Sequence, residues 1–357
     1  MSKRILVVVP EWNPSAGGIQ RYGDALVSAL QQLLGAESVR VLSFHGITPA
    51  DSSVPVTCCG ANRLRFTQRF FSLLRQFNPT LIWFTHINLS PYGILAQRVG
   101  GFQYVVSAHG VEVWNTKRSL NRLALKSATV VAPVSRYTRD VLLREQMVSE
   151  QKLWILPNTS DENRFALKPL PLKPHDPIIL TVNRFERRES YHGYRMVLRA
   201  LPEILKQLPN LRWKLAGTGN DLTTFQQEVS ASGLSQHVEL LGYVAEDKLP
   251  QLYQEADLFV MPSLLEGFGI VYLESQLCGT PCLAGNLDGS VDPLCDGALG
   301  ILVNPHSTEQ IAEGVVSYFN GTHPVARLNA ATLRSETIKR FGSTQFHSLV
   351  QSLLSMI

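Results

Sequence analysis

Short runs of aliphatic and β-branched residues alternate with stretches of helical periodicity along this 357-residue chain, and they do so in two successive series. That alternation is the strongest constraint on its fold, because strands interleaved with helices form parallel sheets covered by helices. The first series predicts strands at residues 4–10, 39–44, 80–85, 104–108 and 129–133, with helices at 19–34, 63–77 and 136–145. The second predicts strands at 177–182, 212–216, 238–241, 258–261 and 281–284. Its helices are expected at 194–207, 222–232, 249–255, 271–278 and 309–320, with a last one at 344–354. Between the two series, residues 161–177 carry Pro169, Pro171, Pro174 and Pro177 and little periodicity, which reads as a linker. The expectation is an α/β protein of two doubly wound domains. In such sheets ligands collect at the carboxyl ends of the strands, here in a cleft between the domains.

Composition narrows the class. With 45% hydrophobic and 17% charged residues the chain is that of an ordinary folded protein, and no apolar run is long enough to cross a bilayer. The opening run Ile5-Leu6-Val7-Val8-Val9 is followed at once by Glu11 and Trp12, so it reads as a buried first strand and not a secretory leader. Five cysteines without a Cys-x-x-Cys pair (Cys58, Cys59, Cys278, Cys282, Cys295) suggest buried thiols in a reducing, cytoplasmic compartment. The net charge of +4 hides an asymmetry: 19 Lys+Arg against 10 Asp+Glu up to Lys168, and 14 against 19 after it. The first half is therefore the one suited to an anionic partner. No nucleic-acid-reading motif accompanies that charge, so nucleic acid is not the expected partner.

The most specific block runs from Pro262 to Glu274, Pro-Ser-Leu-Leu-Glu-Gly-Phe-Gly-Ile-Val-Tyr-Leu-Glu. A strand ends before it, glycines let backbone approach a ligand, and a helix opens near Ile270 with unpaired N–H groups. Glu266 in the loop and Glu274 one turn into the helix can bond different hydroxyls of one polyhydroxylated ligand. This block resembles the family 4 retaining glycosyltransferases (glycosyl transferases group 1), in which two glutamates flank a Gly-Phe-Gly turn. The resemblance implies that Glu266 contacts the donor sugar and Glu274 the ribose. It also implies that the amides around Phe268, Gly269 and Ile270 hold the sugar.

The resemblance extends over almost the whole chain. Gly17 and Gly18, between the first strand and the first helix, match a turn that meets the donor diphosphate. His109, in Ser-Ala-His-Gly-Val-Glu, matches the family's active-site histidine; Glu112 beside it is either an acceptor contact or a solvated loop residue. Arg184, after the strand at 177–182, matches a diphosphate-binding arginine, and a guanidinium grips two phosphate oxygens at once. Gly217 ends a strand in a glycine turn, Tyr243 falls in a segment bordering the base, and residues 285–290 look like a glycine-rich donor loop in which Asp288 is also a plausible turn residue.

The resemblance implies GT-B architecture, two Rossmann-like domains facing each other across a cleft. Residues 1–168 would form the acceptor-side domain and 169–342 the nucleotide-sugar domain, with 343–357 packing back on the first. The implied activity is transfer of a hexose from a UDP- or GDP-sugar to a glycan or lipid-linked acceptor, with retention. No Asp-x-Asp motif is present, so no metal or other cofactor is expected.

One position departs from the family. Where a lysine normally supplies a second cation for the diphosphate, this chain has His192, in Arg188-Glu-Ser-Tyr-His-Gly. Three readings compete: His192 serves as the cation, Arg187 or Arg188 replaces it, or catalysis is weak or absent and the chain is a non-catalytic nucleotide-sugar-binding protein. A phosphorylase would need a lysine motif for pyridoxal phosphate, and an epimerase would not call for the paired glutamates. Residues 63–77 are basic, aromatic and helical in pattern; they read either as a surface helix resting peripherally on anionic lipid or as a packed helix with solvated arginines.

Overall fold

The structure, a computed structural model, describes residues 3–13, 17–47, 53–114, 116–167 and 175–357, with the backbone alone at 188–190. Pro14, Ser15, Ala16 and the 168/169 boundary lie outside the described residues. The chain divides into two compact units, Met1–Thr159 with Ser343–Ile357, and Ser160–Gly342.

The strands of the first unit are β1 (Ile5–Glu11), β2 (Val39–His45), β3 (Val56–Cys58), β4 (Leu81–Phe84), β5 (Gln103–Ala108) and β6 (Val130–Pro133). They form one parallel sheet in the order β3-β2-β1-β4-β5-β6. Central β1 pairs Ile5 with Val39 on one side and with Leu81 on the other. Buried on both faces, it reads as a continuous apolar run without alternation. The helices are α1 (Gly18–Leu34), α2 (Arg63–Gln76), α3 (Pro91–Gly100), α4 (Ser119–Ser127) and α5 (Arg136–Arg144).

The second unit repeats the plan with β7 (Ile178–Val182), β8 (Arg212–Ala216), β9 (Val238–Gly242), β10 (Leu258–Met261), β11 (Cys282–Gly285) and β12 (Gly300–Val303). Its parallel order is β12-β11-β10-β7-β8-β9. Its helices are α6 (Tyr194–Gln207), α7 (Leu222–Ala231), α8 (Leu249–Glu255), α9 (Ile270–Leu277), α10 (Thr308–Phe319) and α11 (Ala330–Phe341). The final helix, α12 (Ser343–Met356), belongs to the first unit: Phe346, Val350, Leu353 and Leu354 are buried there, and Phe346 meets the Tyr22 ring edge-on.

β3 and β12, each at a sheet edge, and helices α3, α4 and α11 have no counterpart in the sequence reading. Edge strands of three or four residues are too short to show periodicity. Residues 161–167 are packed against the second unit. Arg334 donates to the carbonyls of Glu162, Phe165 and Leu277, and Arg164 pairs with Glu246 at 2.7 Å. No two cysteines form a disulfide, and Cys58, Cys59, Cys278 and Cys282 are buried.

Candidate functional site

In each sheet the strand order reverses once, between β1 and β4 and between β7 and β10. Loops leaving neighbouring strands there diverge and leave room for a ligand. Gly17 and Gly18 follow β1, Arg184 and His192 follow β7, and Glu266, Phe268 and Gly269 follow β10, while His109, Gly217, Tyr243 and Asp288 follow β5, β8, β9 and β11.

In the second unit the loop after β7 and the loop after β10 are joined. Leu264 N–H donates to Tyr191 O at 2.9 Å. Gly193, with φ of +82°, is pressed so closely on the second loop that a Cβ would lie 2.1 Å from Pro262 O. Only glycine fits that backbone and that contact. The join brings His192 Nδ1 to 3.8 Å from Glu266 Oε2. Glu266 is held in turn by Asp288, which is 1% exposed. Asp288 Oδ2 accepts the Glu266 N–H at 2.6 Å and Oδ1 accepts the Ser290 N–H at 2.9 Å, while Gly289 N–H donates to Glu266 O at 2.8 Å. Burial pushes the Asp288 carboxyl up to about 7. Both sequence readings of residue 288 thus understate it: Asp288 is the clamp between two loops.

Glu274, on α9, is 1% exposed and accepts the Tyr253 hydroxyl at 2.9 Å. Phe268 and Ile270 are buried, Phe268 with its ring edge-on to Phe341 at 5.6 Å, so the candidate ligand contacts of residues 268–270 are backbone amides at the start of α9. Arg184 is exposed between Asn183 and Phe185, whose amides donate to Ala216 O at 3.1 Å and Thr218 O at 3.0 Å. This pairing draws the strand ends so close that a Cβ on Gly217 would sit 1.7 Å from Asn183 O. Tyr243, beyond β9, is 74% exposed.

His192 and Arg187, two of the candidate cations, have different surroundings. His192 is beside Glu266, whereas Arg187 is engaged at the start of α7. Its amide donates to Asn220 Oδ1 at 2.9 Å and its guanidinium to Thr224 Oγ1 at 3.1 Å, with Asp221 at 3.8 Å. The Arg188 side chain lies outside the described residues.

In the first unit Gly17 caps α1 and Gly18 opens it. His109 follows β5. Its Nε2 lies 2.8 Å from Thr85 O, and because a carbonyl only accepts, the neutral ring carries its proton on Nε2. Burial lowers its pKa to about 4, so the ring is neutral at pH 7. Glu112 is no solvated loop residue: its Oε1 accepts the His109 N–H at 2.6 Å, and burial raises its pKa. Tyr22 lies edge-on to His109 at 4.8 Å, above a buried network of Tyr22, Trp83 and Ser107.

His86, absent from the sequence reading, follows β4 as His109 follows β5. The charge of Glu112 acts on it, and its Nδ1 accepts the Asn88 N–H at 3.1 Å. A histidine directly after a strand was the signal that could have found it. On α2 the apolar residues Phe66, Phe70 and Leu74 are buried while Arg63, Leu64, Arg65, Arg69 and Arg75 are exposed, so the face it offers to solvent is cationic and not aromatic. No helix among the described residues is long and apolar enough to cross a membrane.

Comparison with known proteins bears on both units. Residues 162–332 match the glycosyl transferases group 1 family, and residues 16–164 match glycosyltransferase family 4. The chain is 29% identical to the GDP-mannose-dependent alpha-(1-6)-phosphatidylinositol monomannoside mannosyltransferase of Mycolicibacterium smegmatis, over 87% of this chain and 88% of that one. Sucrose-phosphate synthase from Thermosynechococcus elongatus has the same fold, with a TM-score of 0.82, 19% identity and 99% of each chain covered. So does Anabaena HepE, solved in complex with UDP, with a TM-score of 0.79, 18% identity, and 99% of this chain and 100% of that chain covered.

Proposed function

The chain belongs to the group 1 glycosyltransferases, with a GT-B fold, and from that premise we propose that it moves a hexose from a nucleotide-diphosphate sugar to a lipid-linked acceptor in glycolipid assembly. Transfer with retention and without a metal is part of the proposal. The observation that carries it is the joined pair of loops after β7 and β10, which sets His192 beside Glu266 at the point of strand reversal and clamps Glu266 through Asp288.

In the reaction the C1–O bond of the donor breaks and the nucleoside diphosphate leaves with the electron pair. The acceptor oxygen bonds C1 on the same face, and its proton passes to the leaving phosphate. Arg184 and His192 are placed in the proposal against the growing phosphate charge. Fixed cations stabilise it without reorganising during the step. Glu266 and the amides opening α9 orient the sugar, and Glu274 takes the ribose. The first unit supplies the Gly17–Gly18 amides for the diphosphate and a neutral His109 as a hydrogen-bonding group near the sugar. Relatives that use GDP-mannose on a phosphatidylinositol mannoside make GDP-mannose the first donor to try, followed by UDP-glucose. Peripheral contact with anionic membrane through the exposed arginines of α2 completes the reading.

A thermal-shift screen against GDP, UDP, ADP and their sugar conjugates tests it. A ligand at 100 times its Kd stabilises the folded state by about 2.7 kcal/mol. One nucleotide is expected to raise the melting temperature, and Arg184→Ala and Glu274→Ala to abolish the rise. No shift with any nucleotide would refute the donor site. The substitution of lysine by His192 favours a second reading, a nucleotide-sugar-binding protein that does not turn over; donor binding without transfer or hydrolysis would establish it.

A further inference from the structure

The segment between β7 and α6, residues 183–193, carries both cations placed on the donor diphosphate, Arg184 near its start and His192 near its end. Such groups stabilise a growing charge only if they are held at a fixed separation before the step. Part of that separation is set by packing. Phe185, beside Arg184, and Tyr194, two residues after His192, are fully buried with ring centroids 5.1 Å apart. Both rings also meet Phe225 of α7, at 5.9 and 4.8 Å.

Asp221 ties the same two points together through polar bonds. It directly precedes α7 and is 2% exposed. An aspartate in that position ordinarily caps its own helix by accepting one of the first free amides. This side chain makes no capping bond. Instead Oδ2 accepts the Tyr194 hydroxyl at 2.5 Å and Arg195 Nη1 at 2.6 Å, while the Asp221 N–H donates to Phe185 O at 2.7 Å. Oδ1 lies 3.8 Å from Nε of Arg187, in the middle of the segment. Arg195 is itself fixed, donating to Tyr194 Oη at 2.9 Å and through Nε and Nη2 to Glu228. The hydrogen bond from Arg195 holds the Asp221 carboxyl below the usual carboxylate range, so it is ionised at neutral pH. One residue therefore reaches the start, the middle and the end of the segment. Buried ion pairs can often be replaced by apolar side chains with little loss of stability, so the fold alone does not call for a carboxylate here.

We propose that Asp221 is a positioning residue for the donor diphosphate: through Phe185 and Tyr194 it fixes the separation of Arg184 and His192, and with it the spacing at which the two phosphates are gripped. The inference rests on the donor-site reading above. Asp221 acts through the segment and not on the ligand.

Calorimetric titration of the full chain with GDP and guanosine, and with UDP and uridine in parallel, tests the proposal. The ratio of nucleoside to nucleoside diphosphate dissociation constants reports what the diphosphate adds. Asp221→Asn keeps the shape and one acceptor oxygen but loses the charge and turns an amide N–H toward Arg187 or Arg195. It is expected to lower the ratio about tenfold, the loss of about one charged hydrogen bond, with nucleoside affinity unchanged. Tyr194→Phe removes only the hydroxyl donor and should lower the ratio about threefold, which carries the test if Asp221→Asn does not fold. Glu228→Gln loosens Arg195 from its other carboxylate without touching Asp221, so it should reduce the melting temperature and leave the ratio at the wild-type value. An unchanged ratio in the folded Asp221 or Tyr194 variant would overturn the proposal. So would a loss shared equally by nucleoside and nucleoside diphosphate, or an equal fall in the ratio for Glu228→Gln. A wild-type ratio near one would refute the donor site itself and this inference with it, an outcome distinct from the others because it appears before any substitution is made.

Discussion

Asp288→Ala is the most informative single change, because Asp288 touches the candidate sugar-binding loop only through backbone. The buried carboxylate accepts the amides of Glu266 and Ser290 at 2.6 and 2.9 Å. Removing it leaves one buried and one half-buried N–H group without their acceptor, at about 1–3 kcal/mol each where water is excluded. Relaxation of the loops and entry of water offset part of that, which puts the expected cost at about 2 kcal/mol, near the low end of the sum. If donor binding has to re-form the loop, this cost appears in the donor Kd as a loss of about 30-fold. The assay is calorimetric titration with the nucleotide sugar found in the thermal-shift screen, on protein whose circular dichroism matches wild type. Asp288→Asn, which keeps one acceptor oxygen, should fall between the two. A folded Asp288→Ala protein that binds donor within threefold of wild type would refute the clamp. A pH series gives an independent check. Burial raises the Asp288 carboxyl from 3.8 to about 7, so the folded chain retains a proton that the unfolded chain releases. Its contribution to stability is complete below about 3.8 and is lost as the pH rises through about 7. Urea denaturation should therefore show the stability of wild type falling relative to Asp288→Asn across that window; a constant difference would mean that the carboxyl is not held protonated.

Three further outcomes are expected. His192→Ala should weaken donor binding about tenfold, while His192→Lys should bind at pH 8 at least as well as wild type, since a charged hydrogen bond to phosphate contributes about 1.5–3 kcal/mol; equal binding in all three proteins would show that residue 192 does not contact the diphosphate. Gly217→Ala should destabilise the second unit by several kcal/mol, because its Cβ would lie 1.7 Å from Asn183 O at a backbone φ of +139°; a melting temperature within two degrees or so of wild type, by a margin well under the usual shift of about 2–4 °C per kcal/mol, would contradict the close approach. Arg65→Glu/Arg69→Glu should reduce flotation with phosphatidylserine-containing vesicles by tenfold or more, at about 1 kcal/mol per cation near an anionic surface; unchanged flotation would rule out α2 as the membrane contact.

Much of this protein is written locally along the chain. The two strand–helix series, the apolar β1 that must be buried on both faces, and the Glu266–Glu274 block after β10 follow from residues adjacent in sequence. So do Arg184 and His109 after β7 and β5, because a polar residue following a buried strand emerges at the sheet edge where ligands gather. The strand order is not local. β10 lies beside β7, so that Thr181 Oγ1 bonds Val260 O across 79 residues, and only this neighbourhood sets His192 against Glu266. Glu112 turned back on the His109 amide is a local contact within one loop that periodicity does not report, whereas Asp288 as a clamp on Glu266 depends on loops that sequence distance separates. The same holds for α12 returning to the first unit and for residues 161–167 joining the second. Sequence periodicity reports which face of an element is buried, but not which other element buries it. That choice is made by the packing of the whole sheet, and with it the partners of every side chain in the site.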